Sequence, residues 1–432
     1  MKVIHLSDIH IGVENYGKPT TLADLENLPE YFAPGVDREN YLGISTRLLD
    51  FLETFDAVIH YIKENDVDLV LFAGDAYKSR DPNQTHQREF ARRIAQISDL
   101  GVNVFLTVGN HDIPHISSKA SALEIFPTLQ VKNITIGDTL KTYRIVTKTG
   151  PVQIVALPWI RISQFMAREE TRNLPLDQII AQVEARLADI LAAEASALDP
   201  SIPAFLCGHI TAAGATLSSE RSMMLGNDHM LSLGTLANPA FDYVALGHIH
   251  KHQILTQQPL VVYPGSLQRI DFSEENDVKG FCAFDVDFNK SRGNRIDNFA
   301  FVPVNARPML TIPVLVEPGF NSTEVTLSEI STYSKTLLAT AIVRLRVTMN
   351  SEDESTFNES QVRDALKEAY FIAGVERRIN RGARTRLGSE SAESLSPLGA
   401  LEVYFQSRNV PEQRQKQLLE YAEDIIRKQM DQ

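Results

Sequence analysis

The feature that most constrains this chain is a repeated unit: a short apolar run of strand composition, followed at once by side chains able to bind a metal. Val3-Ile4-His5-Leu6 leads into Ser7-Asp8-Ile9-His10, and the run 67–73 is stopped by Gly74-Asp75. The run 102–108 ends in Gly109-Asn110-His111-Asp112, 202–207 in Gly208-His209, and 243–246 in Gly247-His248-Ile249-His250. Between the first two runs Leu48, Leu52, Phe55, Ile59 and Ile62 recur at three and four residues, the helical period. Short apolar runs alternating with amphipathic helices argue a layered α/β fold with buried parallel strands. Strand C-termini of an open α/β sheet face one crevice, where ligands bind, so residues scattered from 8 to 250 are expected to converge. Extended backbone after the last run would turn His248 and His250 to the same side.

The same reading predicts helices over 41–63, 84–100 and 176–195 and further strands over 152–157, 260–263 and 280–286. Residues 13–40 are turn-rich and read as a long loop beside the first strand's end, of a length usually seen in lids or disordered segments. Polar residues with Pro303 and Pro308 mark a boundary around 288–308, and 309–375 holds two strands (310–316, 341–347) and a helix (359–373). Five arginines fall within 377–386, a Ser/Glu stretch covers 388–396, and helices are expected over 398–407 and 411–429. No run approaches the ~18 apolar residues of a membrane span. The N-terminus reads as a strand and not a signal peptide, and Cys207 and Cys282 sit in apolar runs, consistent with a reducing, cytoplasmic setting. A net charge of −13 argues against nonspecific nucleic-acid binding through bulk charge. Bound divalent cations or a local basic patch would still hold phosphate on such a protein.

The collected candidates are Asp8, His10, Asp75, Asn110, His111, His209, His248 and His250. Carboxylates, an amide carbonyl and imidazoles without a thiolate suit manganese, iron or zinc and disfavour a structural cysteine-zinc site. Even two carboxylates, one amide and four of the five imidazoles are too many for one ion. Two ions about 3.5–4 Å apart, sharing a carboxylate, would use them all and would suit phosphoester hydrolysis. No Gly-rich P-loop suggests nucleotide-driven chemistry instead. The remaining histidines, His5, His60, His86, His115, His229 and His252, read as structural or solvated.

The set D-x-H, G-D, G-N-H-D, G-H and G-H-x-H, in this order, resembles the calcineurin-like metallophosphoesterases over about residues 1–290. Tyr263-Pro264-Gly265-Ser266, followed by Arg269, Asp271-Phe272 and Lys279-Gly280-Phe281, is similar to the SbcD-type DNA-repair nucleases, relatives of the eukaryotic meiotic-recombination nuclease. The resemblance implies an αββα sandwich nuclease domain (1–290), a small α+β capping, DNA-binding domain (300–380), an Arg/Ser-rich linker (381–397) and a helical segment (398–432) for an SbcC-type coiled-coil ATPase. It implies one metal on Asp8, His10 and His250, the other on Asn110, His209 and His248, with Asp75 bridging and manganese as the ion. His111 would be catalytic, facing the scissile phosphate, and Lys78, Tyr263 and Ser266 would contact substrate.

The implied activity is a manganese-dependent 3′-5′ exonuclease on duplex DNA and an endonuclease on single strands, working as a homodimer in double-strand-break repair in the nucleoid-associated cytoplasm. One departure is Lys78, where many relatives carry a histidine linked to exonuclease action; lysine is a poor proton shuttle near neutral pH. In the last helix Leu418, Tyr421, Ala422, Ile425 and Ile426 form one apolar stripe suited to packing on its own domain or on a partner's coiled coil. Two rivals are weaker. A phosphatase or cyclic-nucleotide phosphodiesterase lacks the C-terminal third, and the protein-phosphatase G-D-x-x-D-R-G is replaced by Gly74-Asp75-Ala76-Tyr77-Lys78-Ser79-Arg80. A metal-free scaffold on the same fold would have lost ligands, and none is missing.

Overall fold

A computed structural model of the chain describes all residues but 115, 117–118, 162–173, 219–228, 381–395, 409 and 431–432. Strands β1 (Lys2–Leu6), β2 (Leu69–Phe72), β3 (Asn103–Thr107) and β4 (Ile134–Gly137) are parallel neighbours. β13 (Gly280–Val286) pairs antiparallel with β1 and β14 (Ile296–Pro303) with β13, giving a sheet ordered β14-β13-β1-β2-β3-β4. A second six-stranded sheet is built from β5 (Thr142–Val146), β6 (Pro151–Leu157), β7 (Ala204–His209), β10 (Tyr243–Gly247), β11 (Gln253–Gln257) and β12 (Leu260–Tyr263). Its order is β11-β12-β10-β7-β6-β5, with the four inner strands parallel. Beside them lies the two-residue pair β8 (Thr211–Ala212) and β9 (Met230–Leu231).

The strands' alternation explains the layering. Val3, Leu69, Leu71 and Phe105 from the first sheet share a core with Ile154, Phe205, Tyr243 and Val262 from the second. The alternate residues Ile4, Val70, Phe72 and Val104 pack on the apolar faces of helices Thr46–Glu64 and Gln84–Asp99. Val155, Leu206 and Val244 likewise meet Ile179, Val183 and Leu187 of helix Leu176–Ala197. Helix, sheet, sheet and helix therefore stack in four layers, as period-2 strands buried on both faces require. Thr107 ties the layers near the strand ends, its hydroxyl donating to the Cys207 carbonyl at 3.1 Å.

The first helix starts later than its periodicity suggests because Ser45 caps it, accepting from the Arg47 N–H at 3.3 Å. The 13–40 segment is not an open loop. It folds into a helix at Leu22–Glu26 and a turn of 3₁₀ helix at Arg38–Tyr41, buries Leu25, Phe32 and Tyr41, and is clasped by Arg38, which donates to the carbonyls of Leu25, Leu28 and Pro29. Residues 296–303, expected to be a boundary, form β14.

The chain divides into two units: Met1–Ile312 with Tyr333–Arg344 and Leu366–Gly374, and Pro313–Thr332 with Leu345–Ala365 and Val375–Gln432. A three-stranded sheet is ordered β15 (Met309–Leu315), β16 (Ile342–Asn350), β17 (Phe371–Asn380). The helix expected over 359–373 ends at Ala365, and the β-prone sequence Phe371-Ile372-Ala373-Gly374-Val375 becomes β17 instead. Arg377 and Arg378 thus lie on a strand, whereas the other three arginines of the basic run fall, with residues 388–395 of the Ser/Glu stretch, outside the described residues. In the second unit, helices Pro397–Ser407 and Glu412–Met430 pack against one another. No described helix is long and apolar enough to cross a membrane.

Candidate metal centre

Register brings the ligand-bearing loops out side by side. Leu6 pairs with Phe72 and Phe72 with Leu106, so the residues after β1, β2 and β3 leave the first sheet together. His209 pairs with Gly247 at the same end of the second sheet. The expected extended backbone is absent at the key positions: Asp8 (φ 52), His10 (φ 50), Asp75 (φ 59) and His248 (φ 97) all lie at positive φ. Such conformations cost about 1–3 kcal/mol each and persist where the surroundings over-determine them. Here Asp8 N donates to Gly74 O at 2.9 Å, His10 N to Asp75 O at 3.1 Å, and Asp75 N to Asp112 Oδ2 at 2.9 Å. The Asp112 carboxylate also accepts from Ala76 N (3.0 Å) and Gly109 N (3.0 Å), lashing the G-D and G-N-H-D turns together. Glycine is needed before three of the candidate ligands for room: a Cβ on Gly74 would collide with the His209 ring, one on Gly109 with the Asp75 carboxylate, and one on Gly247 with the Ala73 carbonyl.

Two foci result, and Asp75 lies between them. Its Oδ2 is 3.6 Å from His10 Nε2 and 3.4 Å from His209 Nε2. On one side His10 Nε2 is 3.0 Å from His250 Nε2 and 3.8 Å from Asp8 Oδ1, which is 4.0 Å from His250 Nε2. On the other, Asn110 Oδ1 is 2.9 Å from His209 Nε2, and the rings of His209 and His248 lie 5.2 Å apart, edge to face. Asp8, His10 and His250 form one group of ligand atoms within metal-binding reach of one another; Asp8, Asp75 and His209 form another, and His10, Asp75 and His111 a third. His111 sits at the rim, half-buried like Asn110, its ring 5.0 Å from that of His10 and its backbone N–H donating to Asp75 Oδ1 at 2.9 Å. The oxygen and nitrogen donors fit divalent cations, because an ion at each focus would take the lone pairs that buried groups such as His10 and His250 now turn on one another.

Three of the rings are aimed by their other nitrogen, as metal-binding imidazoles are. His209 Nδ1 donates to the Ala73 carbonyl at 2.8 Å, His250 Nδ1 to Glu274 Oε1 at 2.9 Å, and His111 Nδ1 to the Lys78 carbonyl at 2.7 Å. His248 donates its backbone N–H to both oxygens of Asp8, at 3.2 and 3.1 Å. Burial raises the Asp75 carboxyl, yet His209, His111 and His10 around it hold it well below the usual carboxylate range. Burial lowers His209, but the Asp75 charge outweighs it and raises the imidazole to about 9. His10 is pushed well below its ordinary value by burial, against the pull of Asp75. An arriving cation would displace the His209 proton, so loading couples to pH.

The other expected positions divide. Lys78 is partly buried beside the centre, its ammonium lowered by burial against the pull of Asp75. Tyr263 and Ser266, expected to contact substrate, are both fully buried. The Tyr263 hydroxyl donates to Ile210 O (2.6 Å) and accepts from Ala212 N (2.9 Å), while the Ser266 hydroxyl donates to Gln268 O (2.9 Å) and accepts from Lys279 Nζ (3.0 Å). Both therefore brace the frame; their strand-end context is the same as that of the ligands, and only burial separates them. Four contributors were given no role by the sequence reading. Trp159, the single tryptophan, tilts onto His248 at 5.0 Å and onto His229 at 4.7 Å. Asp112, Glu274 and Lys279 are buried groups around the ligands. Asp112 stood in the G-N-H-D motif, but nothing in the sequence marks Glu274 as a neighbour of a residue 24 positions earlier.

A profile of the calcineurin-like phosphoesterases matches residues 1–252. The SbcD component of the nuclease SbcCD of Staphylococcus epidermidis is 25% identical over 321 residues, 73% of this chain and 72% of that protein. Among solved structures, a dimetal phosphatase from Danio rerio aligns with 70% of this chain and 98% of its own at 11% identity and a TM-score of 0.35, too slight a likeness to argue from.

Proposed function

For a chain that belongs to the calcineurin-like phosphoesterase family and is a metal-dependent hydrolase, we propose the role of a DNA nuclease in an SbcCD-type end-processing complex. The observation that carries this reading is Asp75 Oδ2, set 3.6 Å from His10 Nε2 and 3.4 Å from His209 Nε2, where one carboxylate would serve two ions. Support for the substrate comes from the likeness to the S. epidermidis nuclease component, which extends beyond the phosphoesterase match. Asp8, His10 and His250 would hold one ion, Asn110, His209 and His248 the other, and Asp75 would bridge; manganese is the ion we propose. Bound there, the pair supplies Lewis acidity and charge neutralisation at a phosphodiester.

The chain's own residues do the rest. His111, with Nδ1 committed to the Lys78 carbonyl, is left to exchange its proton at Nε2, toward the leaving oxygen. Lys78 places a cation beside the same phosphate and contacts it without shuttling protons, so exonuclease action on duplex ends would run differently from that of histidine-bearing relatives. Trp159 covers the His248 side and limits water there. Residues 300–380 would cap the site and meet DNA. The helical segment 398–432 would dock an SbcC-type coiled-coil ATPase: Tyr421 of its stripe is 72% exposed. A homodimer completes the assembly we propose.

The test is digestion of end-labelled duplex and of single-stranded circles with manganese. Wild type should cut both, and His111→Leu should lose about 10²–10⁴-fold in rate while keeping its metal. No cleavage by wild type, with turnover of a small phosphodiester instead, would overturn the nuclease reading. Removal of 398–432 should abolish ATPase binding and spare the metal; intact binding would sink the docking claim.

A further inference from the structure

We propose that Glu274 and Lys279 are a buried positioning pair for His250, which they hold by ring and by backbone, and so set the affinity of one ion and not the other. The inference rests on the two-metal reading above. Glu274 is fully buried and Lys279 is 2% exposed, although both carry charges that burial disfavours. Their partners explain the placement. Glu274 Oε1 accepts from His250 Nδ1 at 2.9 Å, and its Oε2 lies 2.6 Å from Lys279 Nζ and accepts from Ile270 N at 3.2 Å. Lys279 Nζ turns back to donate to the His250 carbonyl at 3.0 Å and to Ser266 Oγ at 3.0 Å. One ammonium thus touches the ligand's main chain directly and its ring through a carboxylate.

The arrangement has a chemical consequence. A carboxylate only accepts, so it compels the proton of His250 onto Nδ1 and leaves Nε2 as the lone pair facing His10 and Asp8. At His209 the same duty falls to the Ala73 carbonyl, which no side-chain substitution removes. The two sides of the centre therefore differ: one ring is held by main chain, the other by an ion pair recruited from the run 263–281. This accounts for Ser266 and Lys279, whose sequence context suggested substrate contact or went unassigned.

The experiment is titration of metal-free protein with manganese, followed by calorimetry and by the electron paramagnetic resonance signal of exchange-coupled against isolated Mn²⁺. Wild type should take up two ions. Glu274→Gln, whose amide both donates and accepts and so no longer dictates the tautomer, should bind one ion as wild type and the other about 10–100-fold more weakly, with isolated Mn²⁺ appearing at intermediate loading. Lys279→Met leaves a buried carboxylate alone and is the variant at risk of misfolding; Glu274→Gln with Lys279→Met removes both charges and should fold and show the same one-sided loss. Two ions in wild type with both affinities of Glu274→Gln within twofold, or both weakened alike, overturns the pair alone. Fewer than two ions in wild type overturns the two-metal reading, and the pair with it.

Discussion

The two sheets contribute unlike chemistry to one crevice. The ends of β1, β2 and β3 bring every oxygen donor, Asp8, Asp75 and Asn110, together with His10 and His111; the ends of β7 and β10 bring only imidazoles, His209, His248 and His250. Three of the four ligands at positive φ also belong to the first sheet. Negative charge and strain are thus concentrated on one sheet, and imidazoles close the site from the other. Neither half holds an ion pair by itself: the first lacks enough nitrogen donors, and the second has nothing to neutralise a cation. A centre split in this way makes metal binding a contact between sheets, so it should stabilise their packing as well as supply chemistry.

The largest blow to this division is Asp75→Asn, which removes the oxygen both foci share. Activity should disappear and manganese uptake should fall below one ion per chain by elemental analysis; retention of two ions would mean the carboxylate does not bridge. A sharper probe compares His248→Gln with His250→Gln. If each ring serves a different ion, each variant should weaken a different one by about 10–100-fold, a factor typical of a disturbed metal site, and identical loss of a single ion in both would refute the split.

Gly247→Ala tests the close approach of the second sheet's last strand end to the first sheet's Ala73 carbonyl. Overpacking of this kind costs about 1–3 kcal/mol, measurable as a lower denaturation midpoint, and the loss should be smaller when metal is present to draw the sheets together. The mildest effect concerns His5 of β1, whose Nδ1 lies 2.9 Å from the Tyr243 hydroxyl of β10. Burial drives its pKa from 6.5 down to about 3, so between those values the unfolded chain binds a proton that the folded chain refuses. Stability should fall as pH drops through that window, by at most about 1.4 kcal/mol per pH unit from this residue. His5→Gln should lose that component of the slope in denaturant melts.

The convergence of the candidate ligands was legible in the sequence because each follows a strand, and strand ends in a parallel sheet have a common address. That logic placed Asp8, His10, Asp75, Asn110, His111, His209, His248 and His250 in one crevice from spacing alone. It does not distinguish ends where the same address leads inward: Tyr263 and Ser266 also follow or end a strand, but both are fully buried with their hydroxyls bonded to main chain. The segment 13–40 looked loose because turn residues dominate it, while its few apolar anchors, Leu25, Phe32 and Tyr41, decide its packing. The helix read through 373 missed β17 since local periodicity does not register a partner strand 30 residues earlier.

By itself, then, the sequence determined the alternation of strand and helix, the family and the donor types, since these follow from local patterns of two, three and four residues. Which oxygen is shared, which histidine a carboxylate aims and which glycine leaves room for a facing chain were decided only when two sheets met. Those properties belong to distances between residues as far apart in the chain as Ala73 and Gly247, and no local pattern encodes them.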